Sequence, residues 1–389
     1  MKNEASKARF PKKYRNLAIA IFLAGMIILT AFIFSANFGQ AKLMVAYLYP
    51  FSSGIPNIWL ASVDNPSEAQ QLTDSKMGIY DFDVSKNGRY IAYSVRDENT
   101  RIRDIFLLDI QTQETRQLTF CANETMECYS PVFHPENTVI AYVRLADSSD
   151  ELHGEHANIE NIWLMDIENG ESRPLANDIH FIGYSPQWSN DGNTLAFYNA
   201  DLDNPSIIVY NFNPSDDSPR TQYAAPSYNG LVGTLAPDSL QLIFPDLNHN
   251  HEGQVSSYLS IADFEQEPPV FENLTEPDEP IDDISASWYP DGESVTIARR
   301  YTDSRWTRGY QLYEMDMENK EITPLLYDEN YSHHYFAWDN RGEHLLVQRL
   351  PVSDSINTNS RPEIWILNYD NGELTQVAKG AYHPRWVIR

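Results

Sequence analysis

The residue types able to do chemistry collect in a few stretches of this 389-residue sequence. His153 and His156 stand among Asp147, Asp150, Glu151 and Glu155, and His249 and His251 stand beside Asp246 and Glu252. Imidazoles and carboxylates are donors that a divalent cation takes. None of these spacings reproduces a closed ligand set, so solvated polar loops, the longest expected over 144–160, 245–256, 299–309 and 349–361, are the plainer reading. No cofactor is expected, with a divalent cation on those four histidines as the alternative. A second stretch carries Tyr301, Arg305, Trp306 and Arg308, and a third carries His333 and His334 after Asp328 and Glu329. Aromatic and guanidinium side chains offer large contact area and directed hydrogen bonds, so these six are candidate ligand-binding residues. No catalytic residue is expected, because the sequence has neither a Gly-x-Ser-x-Gly elbow nor a Gly-rich phosphate loop.

The only cysteines are Cys121 and Cys128, and the six residues between them include no histidine. Outside the cytoplasm such a pair is expected as a disulfide, with free thiols as the alternative.

The elements that position these residues are repeats. A hairpin pattern recurs around large residues at Val84, Phe133, Trp188, Leu235, Trp288 and Trp338, spaced 47 to 55 residues apart. Each anchor leads into a short polar turn such as Ser189-Asn190-Asp191-Gly192, where Gly supplies a positive φ and Asp bonds nearby backbone. Apolar runs follow, such as Leu195-Ala196-Phe197 and then Ile207-Ile208-Val209-Tyr210, with a weaker closing run. Four short strands in a period of about 40–50 residues are the signature of a propeller blade.

The two ends of the repeat region complement each other. Residues 43–47, 57–60 and 69–73 read as the second, third and fourth strands of a blade that lacks its first. Tyr382-His383-Pro384-Arg385-Trp386 matches Tyr184-Ser185-Pro186-Gln187-Trp188 position for position. The expectation is an all-β, seven-bladed β-propeller over residues 42–389, closed by strand exchange between the termini, which leaves no open edge.

The pattern Pro-x-Trp-Ser-x-Asp-Gly near Trp188, its close variant at Trp288, the Ile-Trp strands and the Leu-Thr closers resemble the PD40/WD40-like repeat of TolB-type propellers and of prolyl oligopeptidase relatives. The copies at Val84 and Leu235 depart from the pattern. The resemblance implies the fold and says little of activity. Prolyl oligopeptidase relatives also carry a hydrolase domain, for which this sequence has no residues after the last strand. Seven-bladed oligogalacturonate lyases look like the same fold family, which implies a histidine-bound metal inside the ring as the enzymatic alternative.

Residues 1–16 hold six basic residues and one acidic one, and residues 17–34 form an uncharged apolar run. That run is long enough to span a bilayer as a helix. Its basic flank predicts a cytoplasmic N-terminus and an extracytoplasmic propeller, periplasmic or at the cell surface. The expected division is a basic tail over 1–16, one transmembrane signal anchor over 17–35, a tether over 36–41 and the propeller. A cleaved signal peptide is the rival. Beyond the tail, 22 basic and 54 acidic residues leave a net charge of −32. Such a domain repels phosphate backbones, so nucleic acid is excluded as a partner.

The expected function is that of a membrane-anchored binding or scaffold module for a protein, peptide or cell-envelope glycan. The alternative is a metal-assisted polysaccharide lyase or hydrolase.

Overall fold

The computed structural model describes residues 42–52, 54–124, 126–145, 160–175, 182–201, 203–212, 219–249, 255–352 and 360–388. Among them no helix is long and apolar enough to cross a membrane, and the apolar run over 17–34 lies outside them. Apart from two 3-10 turns, the regular structure of the described residues is strands, arranged in seven four-stranded antiparallel sheets.

Six sheets take their strands in chain order, over residues 79–117, 127–174, 183–226, 234–273, 281–326 and 331–379 (blades 2 to 7). Blade 1 is composite. Its strands Leu43–Tyr49, Asn57–Ser62 and Gln70–Gln71 are completed by the last strand of the chain, Tyr382–Ile388. Strand exchange therefore closes the ring, as the complementary ends predict.

Each blade buries both faces of its sheet against its neighbours. Its second strand is accordingly largely buried along its length, and all six residues of Thr194–Asn199 are buried. Outer strands such as Gln70–Gln71 and Val270–Asn273 have no such cover and are exposed. Seven hydrophobic clusters fill the seven blade interfaces. The one joining blade 7 to blade 1 packs Leu346, Ile364 and Ile366 against Val45, Tyr47 and Ala61.

Antiparallel order puts the turns after first and third strands on one face of the ring, the turn face. The loops after second strands and the links between blades lie on the other, the loop face. Neighbouring blades are fastened on the turn face. His134 Nε2 lies 3.0 Å from the carbonyl of Gly192, Tyr289 donates its hydroxyl hydrogen to the carbonyl of Gly342 at 2.9 Å, and the Asn87 amide donates to Asn137 Oδ1 at 3.2 Å.

Some boundaries differ from the sequence reading. The stretch 245–256 is not one long loop, because strands Gln241–His249 and Val255–Asp263 keep pairing to the His249–Val255 register. Arg144, Arg299 and Arg349 likewise end second strands instead of opening loops. The first strand of blade 5 is only Thr234–Leu235. Gly233 precedes it at φ +84°, where a Cβ would stand 2.1 Å from the carbonyl oxygen of Ile243.

Candidate functional site: the loop face

The residue four positions before the anchor lies in, or just before, the loop-face half of the first strand of each blade. Tyrosine holds this position in four successive blades, as Tyr382, Tyr80, Tyr129 and Tyr184, followed by Leu231, Ile284 and His334. Tyr80 is 53% exposed, with the Arg96 guanidinium 5.9 Å above its ring. Tyr382 meets Phe51 edge to face at 5.4 Å, and Tyr184 lies 5.3 Å from Tyr198. Tyr129 donates its hydroxyl hydrogen to Glu160, while Arg103 sits 3.7 Å over its ring and pairs with Glu127.

Burial pushes the hydroxyl pKa of Tyr382, Tyr129 and Tyr184 up, reinforced by Tyr80 in the first case and by Glu160 in the other two. These hydroxyls stay protonated at neutral pH. They are equipped to stack and to hydrogen-bond, not to act as bases.

Beside Tyr80 a cleft of about 440 Å³ opens between blades 1 and 2. Thr73, Ser75, Lys76, Met77, Arg96 and Asp97 are among its walls, so Arg96 joins the cleft to the tyrosine arc. Apolar exposure follows the same geography. Of the large hydrophobic residues that are exposed among the described residues, all but Val270, Phe271 and Tyr369 lie on the loop face.

The predicted residues fare differently. Tyr301, Arg305 and Trp306 come together at the loop after the second strand of blade 6. There Arg305 lies 3.8 Å over the Tyr301 ring and pairs with Asp303 at 2.7 Å. That pairing leaves Trp306, 54% exposed, as the open contact, with Arg308 also exposed. His334 is exposed, 6.4 Å from the Tyr310 ring. Its neighbour His333 points into the blade and is wholly buried, with Nδ1 2.8 Å from the Tyr310 carbonyl. Burial lowers its pKa to about 4, helped by nearby Arg349. It offers no surface contact.

His153, His156 and His251 lie outside the described residues, as does the side chain of His249. Among the described residues, the trio able to converge on a cation is Asp339, Glu343 and His344, and it sits on the turn face. Those groups already lock the turn, since Asp339 accepts from the Arg341 and Glu343 amides and its other oxygen lies 3.1 Å from His344 Nδ1. Cys121 and Cys128 are joined as a disulfide, Cα–Cα 6.0 Å, inside the cluster between blades 2 and 3.

The tyrosine arc escaped the sequence reading. Its signal is present, because a tyrosine stands four residues before the anchors Val84, Phe133, Trp188 and Trp386.

No protein-family model matches the sequence, and no curated protein matches it. Solved structures do. An oligogalacturonate lyase in complex with manganese is 13% identical, over 88% of this chain and 86% of that one, with a TM-score of 0.57. A prolyl endopeptidase is 9% identical over 90% of this chain and 50% of that one, with a TM-score of 0.58. TolB from Acinetobacter baumannii is 14% identical over 89% of this chain and 66% of that one, with a TM-score of 0.49. The likeness is one of fold. The chain spans about half the length of the endopeptidase.

Proposed function

We propose that this protein is a membrane-anchored, extracytoplasmic propeller that binds a protein, peptide or cell-envelope glycan through its loop face. One observation carries the reading: exposed aromatic and apolar side chains are concentrated on the loop face, while the turn face is occupied by fasteners between blades. Rigid scaffolds commonly bind through such variable loops, and clustered aromatics beside arginine are typical anchors. The anchor rests on the apolar run over 17–34 and its basic flank. The histidines that a lyase or hydrolase reading would use, His153, His156, His249 and His251, have no described side chains, and the cation-capable trio among the described residues is engaged in a turn.

Two measurements test the proposal. Protease added outside intact cells should cut propeller loops and spare an N-terminal tag; a mature protein beginning near Asn37 or Lys42 would refute the anchor. Capture from native membranes should recover a partner with the wild type and lose it with a Tyr80→Ala, Tyr382→Ala double variant. Retention of the partner by that variant, with loss by turn-face variants, would reverse the assignment of faces.

A further inference from the structure

Charge is spread unevenly along this chain. Residues 174–298 hold 20 acidic residues and a single basic one, Arg220, so −19 of the net −27 charges lie there. That stretch covers blades 4 and 5 and runs into blade 6. A partner drawn to this sector is cationic. On the loop face of the same sector stands Tyr228, at 70% the most exposed large hydrophobic side chain among the described residues. Aromatic faces attract cations, most strongly where a carboxylate stands beside them.

Tyr228 belongs to the link between blades 4 and 5, and that link is pinned to both. Tyr198 of blade 4 donates its hydroxyl hydrogen to the Ser227 carbonyl at 3.0 Å, and the Tyr228 amide lies 3.5 Å from Asp246 Oδ1 of blade 5. Gly230 then passes Tyr184 so closely that a Cβ would stand 3.4 Å from its hydroxyl. Asp246 and Tyr258 stand directly opposite each other in the ladder of blade 5. Strand alternation turns both toward blade 4, in step with Leu242, Phe244 and Ala262 of the cluster between those blades. Burial and then the Asp246 charge push the Tyr258 hydroxyl pKa up. Asp246 has no ion pair among the described residues. The buried Ser227 hydroxyl, next to Tyr228 in the chain, has no partner among them either. Asp246, Tyr184 and Tyr258 are each only half-buried, so the group is open to solvent beside Tyr228.

We propose that Asp246, Tyr258 and Tyr228 form a seat for the ammonium group of a lysine side chain, carried by a basic segment of a protein partner. The carboxylate accepts from the ammonium, the tyrosines flank it, and the acidic sector draws the segment in without cations of its own to compete. Lysine suits the seat better than arginine. Asp246 Oδ1 already accepts from the Leu247 amide at 2.9 Å and lies beside the Tyr228 amide. With that oxygen taken, the carboxylate cannot meet a guanidinium fork with both oxygens, whereas ammonium is a point donor. The seat deepens the loop-face reading and rests on it for the source of the lysine.

The probe is a short lysine peptide blocked at both ends, titrated calorimetrically into the full-length protein in lipid nanodiscs. Binding should saturate, weaken as salt rises, and vanish when the lysines are acetylated. Asp246→Asn keeps an acceptor for the Leu247 amide and removes the charge, and Tyr228→Ala removes a side chain already in solvent. Each should weaken the peptide about tenfold. Glu293→Gln makes the same charge change in the same sector, on an exposed side chain of the turn face. It should change affinity less than about twofold, since solvent and salt screen a distant charge. Equal losses in Asp246→Asn and Glu293→Gln would reduce the attraction to diffuse charge and overturn the seat, as would wild-type affinity in Tyr228→Ala. Tighter binding of the matching arginine peptide, or binding of choline without binding of the lysine peptide, would overturn lysine as the occupant. The peptide needs no cellular partner, and the capture experiment uses Tyr80 and Tyr382 in blades 2 and 1. The seat and the partner-binding reading therefore fail separately.

Discussion

Trp386 stands directly opposite Val45 in the ladder that joins the two ends of the ring, and its indole nitrogen donates to the Ala337 carbonyl of blade 7 at 2.9 Å. One side chain thus ties the last strand to the first blade and to its neighbour. Next to it Val387 is completely buried in the cluster between blades 1 and 2. Deleting residues 382–389 should open an edge in blade 1 and lower the melting temperature with loss of cooperativity. Trp386→Ala should cost roughly 3 kcal/mol, the low end for a large aromatic because the ring is only partly buried. Calorimetry that finds the truncated protein melting as a single wild-type-like unit would contradict strand exchange.

Two buried histidines predict a pH dependence. Burial holds His333 at about 4 and His383 at about 3, against an ordinary value of 6.5. Between those values the unfolded chain binds protons that the native state does not. Their contribution is therefore complete above about pH 6.5 and is lost as pH falls toward 4. Each histidine forfeits roughly 1.4 kcal/mol for every tenfold rise in proton concentration across that window. Asp81 and Asp83, raised by burial, act in the opposite sense. The readout is thus a difference: urea midpoints at pH 7 and pH 5 should diverge more in the wild type than in a His333→Asn, His383→Asn variant. Equal divergence would remove the histidines from the account.

Turn glycines provide an internal control for the turn face. Gly192 and Gly372 both have positive φ, +77° and +70°. A Cβ on Gly192 would stand 2.3 Å from His134 Nε2, whereas nothing lies within 4 Å of one on Gly372. Gly372→Ala should cost about 1 kcal/mol, the conformational penalty alone. Gly192→Ala should cost that and roughly 1–2 kcal/mol more, because the blade-to-blade fastener must move. Similar melting temperatures for the two variants would show that the His134 contact contributes nothing.

Reduction should also weaken the protein. The Cys121–Cys128 bridge closes a loop of about eight residues, which corresponds to roughly 2.5 kcal/mol of lost unfolded-state entropy. Asp104 holds the same segment by accepting from the Cys121 amide at 2.6 Å and from the Thr119 hydroxyl at 2.8 Å. The reduced protein should therefore remain folded and melt lower. Non-reducing peptide maps of protein from its native compartment should contain the linked pair, and free thiols there would count against it.

What was legible in the sequence is what local chemistry encodes. Ser189, Asp191 and Gly192 make their own turn, with Ser189 Oγ donating to Asp191 at 2.6 Å and the Gly192 amide to the Ser189 carbonyl at 3.0 Å. Related polar turns announce blades 2 to 7, and the unmatched ends announce the closure. The stretch 245–256 read as a loop because Asn248, His249, Asn250 and His251 break the apolar pattern. Its ladder runs on past the ends of the neighbouring strands, where no facing sheet demands apolar residues. The pair of Asp246 and Tyr258 was invisible for another reason: it exists only once the cross-strand register sets the two opposite. His333 and His334 looked alike as neighbours, yet strand alternation sends one inward and the other to the surface.

The loop face should separate binding from stability. Tyr80 is more than half exposed, with the Arg96 guanidinium over its ring. Removing it forfeits little packing, so Tyr80→Ala should change stability by less than about 1 kcal/mol. Trp306 is equally open, its backbone held by the Asp303 carbonyl at 3.0 Å whatever its side chain. If the partner sits over Tyr80 and the cleft between blades 1 and 2, Tyr80→Ala should weaken it at least tenfold, or about 1.4 kcal/mol. Trp306→Ala, across the ring in blade 6, should weaken only a partner broad enough to cover both. A chelator should leave binding unchanged, whereas turnover of an anionic oligosaccharide that stops on metal removal would favour the enzymatic alternative. Arg305→Ala should matter less than Trp306→Ala, because Asp303 and Tyr301 already engage its guanidinium. Titrating the captured partner against all three variants decides the matter. Wild-type affinity in Tyr80→Ala together with loss in Gly192→Ala would place the binding surface on the turn face.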